Sequence, residues 1–270
     1  MSDIRYFGYG SNMDFAALRA KGVTPRASRR GRLSGWRLRF NVEHFFRHEG
    51  GVGNVERTGK ADDAVCGVLH VCDDADLAAL DKLEGYGVGY DRIEVPIETA
   101  AGTETAFTYV GLPAYVNDTC LPTRRYINIL VRGARAAGLE PDYIAALEQQ
   151  TLLPPVLRPA FAPTPTGRTM SHTALETDHT VLAGHVFCMK EVRFAHELAR
   201  VWFGGKDVTQ FHLRRMDQST GAEDLGSFLD GELRPDQRDF LNVYLHAFSE
   251  EYRHIGQFDY TDLPNAKILA

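Results

Sequence analysis

Apolar and polar residues alternate over positions 33–42, where Trp36, Leu38 and Phe40 interleave with Arg37 and Arg39, and this period of two predicts a half-buried strand. Upstream, the apolar-rich run Ile4-Arg-Tyr-Phe-Gly-Tyr-Gly-Ser-Asn-Met13 breaks at Gly8 and Gly10 and predicts a strand entering a helix that ends near Gly22. Gly50–Gly53 reads as a loop or tight bend, and residues 65–72 as a second strand. Residues 73–84 carry acidic groups in the first turn and a glycine, Gly85, after the last, which matches the preferences of both helix ends. Strand-like runs follow at 92–98 and 105–110, then a loop with Pro113 and Pro122. A helix over 123–137 places Tyr126, Ile127, Leu130, Val131 and Ala134 on one face and stops at Gly138. Pro141 suits the first turn of a short helix reaching Gln149. An all-helical fold is excluded.

Residues 151–167 hold Pro154, Pro155, Pro159, Pro163 and Pro165, five of the chain's 12 prolines, so regular structure cannot persist there. This divides the chain into a domain over 1–150, a proline-rich linker over 151–167 and a C-terminal extension over 168–270. The extension predicts a strand over 180–189, a helix over 191–203 that Gly204-Gly205 stops, and a helix from Pro235 to His254. The last has Leu241, Tyr244, Leu245, Phe248 and Tyr252 as its apolar stripe and Gly256 as its stop. No internal repeat or low-complexity tract interrupts the pattern.

At 270 residues the chain can bury one large core or two small ones. Hydrophobic residues at 44%, charged residues at 24% and a net charge of -6 give no general attraction for nucleic acid or an anionic membrane. The local arginines Arg26, Arg29, Arg30, Arg32, Arg37 and Arg39 read as the solvated side of strands. Cys66, Cys72, Cys120 and Cys188 show no C-x-x-C spacing and no leader-like segment precedes the first motif, which predicts free thiols and a cytoplasmic location. No stretch approaches the ~20 apolar residues needed to span a bilayer. His172, His179, His185 and His196 match no standard structural zinc spacing and read as surface or core histidines.

Two segments carry candidate chemistry. Gly8 and Gly10 remove side chains that would keep a ligand from the backbone, and Ser11 and Asn12 then either cap the following helix or leave first-turn N–H groups for a carboxylate or oxyanion. Leu77, Leu80 and Leu83 define the apolar stripe of the helix over 73–84, and Glu84, four residues beyond Leu80, falls inside it. Glu84 either swings to solvent or is desolvated, and a desolvated carboxylate would hold its proton nearer neutral pH, as a general acid/base requires. The glycine-rich Gly85-Tyr-Gly-Val-Gly89 lacks the strand-before, helix-after context of a phosphate loop.

The segment Tyr6-Phe-Gly-Tyr9-Gly10-Ser11-Asn12, the tract Gly50-Gly-Val-Gly-Asn54-Val, the helix end Leu80-Asp-Lys-Leu-Glu84-Gly85 followed by Tyr90, and the later Tyr109 and Tyr126 together resemble the gamma-glutamylcyclotransferase family over about residues 3–150. The resemblance implies an α+β fold, a small mixed β-barrel with flanking helices, here followed by an α/β extension that simple family members lack. It implies that Tyr9, Gly10, Ser11 and Asn12 bind the gamma-glutamyl portion through backbone N–H groups, and that Glu84 is the catalytic acid/base. It also places Tyr90, Tyr109 and Tyr126 around the same cavity.

Together with the residue chemistry, it predicts that the substrate's own α-amino group attacks its γ-carbonyl carbon, closing 5-oxoproline and releasing an amine, with no metal or cofactor. Whether the loop holds the α-carboxylate or the developing oxyanion stays open. The other readings of the same residues are a noncatalytic binder of gamma-glutamyl or amino-acid-like ligands, and an enzyme for a larger gamma-glutamyl conjugate. The leaving amine, the oligomeric state and the role of residues 168–270 are not fixed by the sequence.

Overall fold

The computed structural model describes residues 3–261 and 263–269. Contacts divide the chain into two compact units, Met1–Pro155 and Val156–Ala270. The first contains β1 (Ile4–Gly8), α1 (Phe15–Arg19), β2 (Ala27–Ser34), β3 (Trp36–Glu43), β4 (Gly51–Arg57), β5 (Ala64–Cys72), α2 (Asp74–Glu84), β6 (Tyr90–Thr99), β7 (Gly102–Gly111), α3 (Arg124–Ala136) and α4 (Pro141–Glu148). Residues 151–167 form no regular structure.

Strands β1, β5, β2, β6 and β7 close into a barrel, so none of the five presents a free edge along its full length. Closure comes from a parallel pairing of β1 with β7 at Tyr6 and Phe107, while β1 and β5 run antiparallel with Tyr6 opposite His70. Phe7, Leu33, Val65, Leu69, Val95 and Ile97 fill the interior. Helix α3 packs the face predicted from its sequence, Tyr126, Ile127, Leu130, Val131 and Ala134, against Met13, Phe40 and Val68. The α+β barrel with flanking helices is therefore as expected.

Helix α2 shows how local sequence fixes an element. Asp73 caps it reciprocally with Asp76, and Gly85 terminates it in the left-handed region at φ 65°, where a side chain would be strained. Its inward face differs from the leucine stripe: Asp76 and Leu80 are buried, Leu77 and Leu83 only partly. Asp76 is drawn in because it accepts from the Thr24 N–H as well as serving the cap. Residues 76, 80 and 84 thus share one face, at i, i+4 and i+8.

Several boundaries move. The strand over 33–42 is two strands separated by Gly35 at φ 80°. Gly51–Gly53 belongs to β4, paired with β3, because a Cβ at Gly51 would lie 2.0 Å from the Phe40 carbonyl oxygen. The helix after the first strand shortens to α1, and its cap is Asp14, whose carboxylate accepts from the Ala17 N–H and is clamped by Arg132 at 2.6 Å; neither Ser11 nor Asn12 caps it.

The second unit contains β8 (Thr169–Met170), β9 (His179–Leu182), β10 (His185–Cys188), α5 (Glu197–Phe203), β11 (Lys206–Asp207), α6 (Thr209–Leu213), α7 (Gly226–Leu229), α8 (Pro235–Glu251) and β12 (Arg253–Phe258). Its sheet order is β11-β9-β10-β12-β8. The strand expected over 180–189 is a hairpin turning at Ala183 and Gly184, both at positive φ. The helix expected over 191–203 begins only at Glu197, after a 3-10 turn at Phe194–His196. Gly256 lies inside β12, where its missing side chain admits the Arg168 carbonyl, rather than ending a helix. Helix α8 ends at Glu251, short of His254; Leu241, Tyr244, Leu245 and Phe248 of its apolar stripe are buried, as is Tyr252 just beyond its end. All four cysteines are free thiols, and no helix among the described residues is long and apolar enough to cross a membrane.

Asp207 is fully buried, accepts from the Thr209 N–H and the Tyr260 hydroxyl at 2.8 Å each, and is pushed up to about 6 by desolvation against those opposing bonds. A carboxyl whose folded value exceeds its ordinary 3.8 stabilises fully below that ordinary value and loses the contribution as pH rises through about 6. Full-length protein unfolded in urea at pH 4.5 and pH 7 should therefore show a stability drop of up to ~2 kcal/mol that Asp207→Asn removes. An unchanged pH dependence in the variant would refute this.

Candidate active site

Because β1 and β7 are parallel and β6 is antiparallel to β7, the end of β1, the end of β7 and the start of β6 lie at one end of the barrel. The Gly10–Asn12 loop leaves β1 there as a 3-10 turn over Ser11–Met13. Glu84, at the last position of α2, reaches the same place.

Its carboxylate is tied to the loop. Glu84 Oε1 accepts from Asn12 Nδ2 at 2.9 Å and from Lys21 Nζ at 2.5 Å. Lys21 also donates to Asn12 Oδ1 at 2.7 Å, and Asn12 Nδ2 donates to the Tyr6 hydroxyl at 2.5 Å. The amide orientation of Asn12 follows from this network, since its oxygen faces the ammonium and its nitrogen faces two acceptors. Side-chain exposure of 16% for Glu84 and 13% for Lys21 places the ion pair at the edge of the interior. The sequence left Glu84 either turned to solvent or desolvated; the structure gives a partly buried, ion-paired carboxylate, because the turn after α1 delivers Lys21.

Gly53 on β4 organises the tyrosines. Its N–H donates to the Tyr126 hydroxyl at 2.9 Å, and its carbonyl accepts from Tyr90 at 2.9 Å and from Tyr9 at 3.4 Å. Tyr9 also donates to the Tyr109 carbonyl at 2.8 Å. A Cβ at either Gly10 or Gly53 would approach the Tyr126 hydroxyl to 2.9 Å, so both glycines are required by close approach. The Tyr109 side chain packs edge-on against Tyr6, but its hydroxyl turns to Asp81 at 2.7 Å, whose carboxylate also meets Arg92 at 3.3 Å. The structure thus brings Tyr9, Gly10, Tyr90 and Tyr126 around Gly53, joins Asn12 to Glu84, and directs the Tyr109 hydroxyl elsewhere. Ser11 meets the group through its main chain, which bonds the Tyr126 hydroxyl.

Burial, reinforced by the Glu84 charge, raises Tyr6, Tyr9, Tyr90 and Tyr109 above the ordinary phenol value, and Tyr126 is pushed up to about 12 by desolvation although the Gly53 N–H opposes it. The phenols therefore remain protonated near neutral pH and cannot act as bases. His70 is fully buried and lowered to about 4 by desolvation. Its Nε2 faces the Asn12 carbonyl at 2.9 Å, which can only accept, so Nε2 carries the proton and Nδ1 takes the Ser28 hydroxyl at 2.7 Å. One ring nitrogen thus holds the loop and the other is committed to Ser28 on β2. Glu84 is the carboxylate hydrogen-bonded to the Asn12 side chain.

Lys21, Gly53, Tyr6, His70 and Asp81 were not singled out from sequence as site residues. One signal for Lys21 was available: the chain has six lysines against 24 arginines, and Lys21 is the one lysine before residue 60. The four histidines weighed for metal binding sit in separate settings within the second unit. His185 meets His254 at 3.3 Å, His196 meets Tyr252 at 2.7 Å, and His179 groups with Glu176 and Asp178.

Residues 64–147 match the sequence model of the AIG2-like family. That span includes Glu84, Tyr90, Tyr109 and Tyr126 and excludes the Tyr9–Asn12 loop. A crystal structure of the human uncharacterized protein loc79017 aligns at a TM-score of 0.50 and 23% identity, covering 58% of this chain and 94% of that one. A structure described as gamma-glutamyl cyclotransferase aligns at 0.48 and 25% identity, covering 56% and 90%. YkqA from Bacillus subtilis aligns at 0.47 and 25%, covering 55% and 54%. A search of curated protein sequences finds no match. The N-terminal unit shares its fold with the human loc79017 protein, and residues 64–147 within it match the AIG2-like family model.

The Gly53 arrangement makes a double-mutant prediction. Gly53→Ala should destabilise by about 1–3 kcal/mol through overpacking against Tyr126, and Tyr126→Phe by about 1–3 kcal/mol by stranding the buried Gly53 N–H. Combined, the losses should fall short of additive, because deleting the hydroxyl removes the clash. Additive losses in chemical denaturation would contradict the close approach.

Proposed function

We propose that this chain, whose residues 64–147 match the AIG2-like family model, is a cyclotransferase that converts a gamma-glutamyl peptide or amine to 5-oxoproline and the free amine. The observation that supports it most is the Glu84 carboxylate fastened to the Asn12 side chain at 2.9 Å, at a barrel end where every neighbouring phenol stays neutral.

In this reading the substrate's α-nitrogen forms a bond to its own γ-carbonyl carbon, and the bond from that carbon to the departing nitrogen breaks. Glu84 takes the proton lost by the attacking nitrogen and returns it to the leaving amine, so the carboxylate ends as it began. Backbone N–H groups of Gly10, Ser11 and Asn12 hold the α-carboxylate or the carbonyl oxygen as it gains charge. Tyr9, Tyr90, Tyr109 and Tyr126 form an apolar wall that keeps the substrate folded in its cyclising conformer. Since nucleophile and electrophile belong to one molecule, folding the substrate supplies much of the barrier reduction, and the reaction requires neither a metal nor a covalent enzyme intermediate.

A reaction panel tests this. The protein incubated with gamma-glutamyl dipeptides, glutathione and gamma-glutamyl amines should release 5-oxoproline, detected by mass spectrometry, from at least one of them. Glu84→Gln should lower turnover at least ~100-fold while leaving the thermal midpoint within a few degrees. Binding that raises the midpoint with no product from any substrate would instead identify a noncatalytic ligand-binding module. Near-normal turnover by Glu84→Gln would remove Glu84 from the chemistry.

A further inference from the structure

The Glu84 carboxylate is used unevenly. Oε1 receives both donors, the Asn12 amide at 2.9 Å and the Lys21 ammonium at 2.5 Å, while among the described residues no hydrogen bond reaches Oε2. The ammonium is itself held by Asn12 Oδ1 at 2.7 Å. Lys21 is not free to wander: Gly22 at φ 73° and the Lys21 and Val23 N–H bonds to the Leu18 carbonyl at 2.9 and 3.0 Å fix the turn it projects from.

Resting on the cyclotransferase reading, we propose that Lys21 is a positioning residue that keeps Glu84 ionised and locks Oε1, leaving Oε2 as the one oxygen that takes the substrate's α-ammonium proton and hands it to the leaving nitrogen. A general base must be deprotonated before its substrate arrives. An adjacent ammonium favours a charged carboxylate, and binding one oxygen removes the choice of which oxygen reacts. The remaining groups facing Glu84 are Tyr6 and Tyr9 from the first strand and its exit, Tyr90 from β6, Tyr109 from β7 and Tyr126 from α3, and all of them are neutral phenols. Asp81, one turn back along α2, spends its charge on Tyr109 and Arg92. Lys21 is therefore the cation hydrogen-bonded to Glu84 among the described residues.

The choice of lysine in an arginine-rich chain fits this role, because a compact ammonium can satisfy one carboxylate oxygen and one amide oxygen, whereas a guanidinium fork would engage both carboxylate oxygens. Oε2 would then be occupied.

The test compares full-length protein with Lys21→Met and Lys21→Arg, measuring kcat and kcat/KM for 5-oxoproline release between pH 5 and pH 9, with thermal midpoints checked for each. Lys21→Met should lose about 100-fold at pH 6 but only about 10-fold at pH 8, as the acidic limb of its profile moves to higher pH. Lys21→Arg should keep the acidic limb of the unaltered protein, since the charge remains, while kcat falls because the fork covers Oε2. Equal losses for Lys21→Met at every pH, or no loss, would overturn the assignment while the cyclotransferase reading stands. Absence of 5-oxoproline release by the unaltered protein across the substrate panel would overturn both. If Lys21→Met does not fold, Lys21→Arg decides: an acidic limb displaced to higher pH in a variant that retains the charge contradicts the proposal.

Discussion

Everything at the barrel end depends on one polar junction, in which the Asn12 side chain bridges Tyr6, Lys21 and Glu84. It joins three elements that the chain contributes separately: the exit of β1, the turn after α1 and the last residue of α2. The Asn12–Tyr6 bond is buried and the others are partly buried, so leaving a partner unmatched would cost about 1–3 kcal/mol. The junction therefore specifies geometry more than it adds stability. A barrel with the same apolar interior but no junction could still fold, yet nothing would hold Glu84 against the loop.

The barrel supplies what the junction needs. Phe7 and its neighbours pack the interior, which makes the strand ends firm platforms. The parallel pairing of β1 with β7 then places two chain exits side by side, and the antiparallel β6 returns Tyr90 to the same rim. His70 adds a tether from inside the wall, holding the Asn12 carbonyl so that the backbone of the loop is as constrained as its side chain. Gly53, beside Gly10, performs a corresponding task by fixing three phenolic hydroxyls through its own N–H and carbonyl. The chemistry proposed for the site needs such stiffness, because a ring closure is accelerated chiefly by holding one conformer of the substrate.

How much of this could be read from sequence varied with the range of the interactions involved. Helix α2 was legible because Asp73, Asp76 and Gly85 signal its ends locally, and the buried face of α3 because its period is regular. The tract over Gly50–Gly53 was misread as a bend because its glycines answer to distant groups, the Phe40 carbonyl and the Tyr126 hydroxyl. The hairpin at Ala183 was hidden for a related reason: alanine at φ 45° is unusual, and the turn is held by the Thr209 hydroxyl bonding the Ala183 N–H. Glu84 stood out as a carboxylate on an apolar stripe, although the stripe proved to be the face of Asp76 and Leu80. Lys21 could not be assigned a partner without the fold that carries it there, and the phenol at Tyr109 was placed at the site while its hydroxyl serves Asp81.

The most direct measurement is a crystal structure of Glu84→Gln with a bound gamma-glutamyl dipeptide. The account predicts the peptide at the barrel end, its α-nitrogen within about 3.2 Å of the side-chain atom of residue 84 that does not contact Asn12, and its carboxylate or γ-carbonyl oxygen on the Gly10–Asn12 backbone. A peptide bound elsewhere, or seated with its α-nitrogen turned away from residue 84, would contradict it.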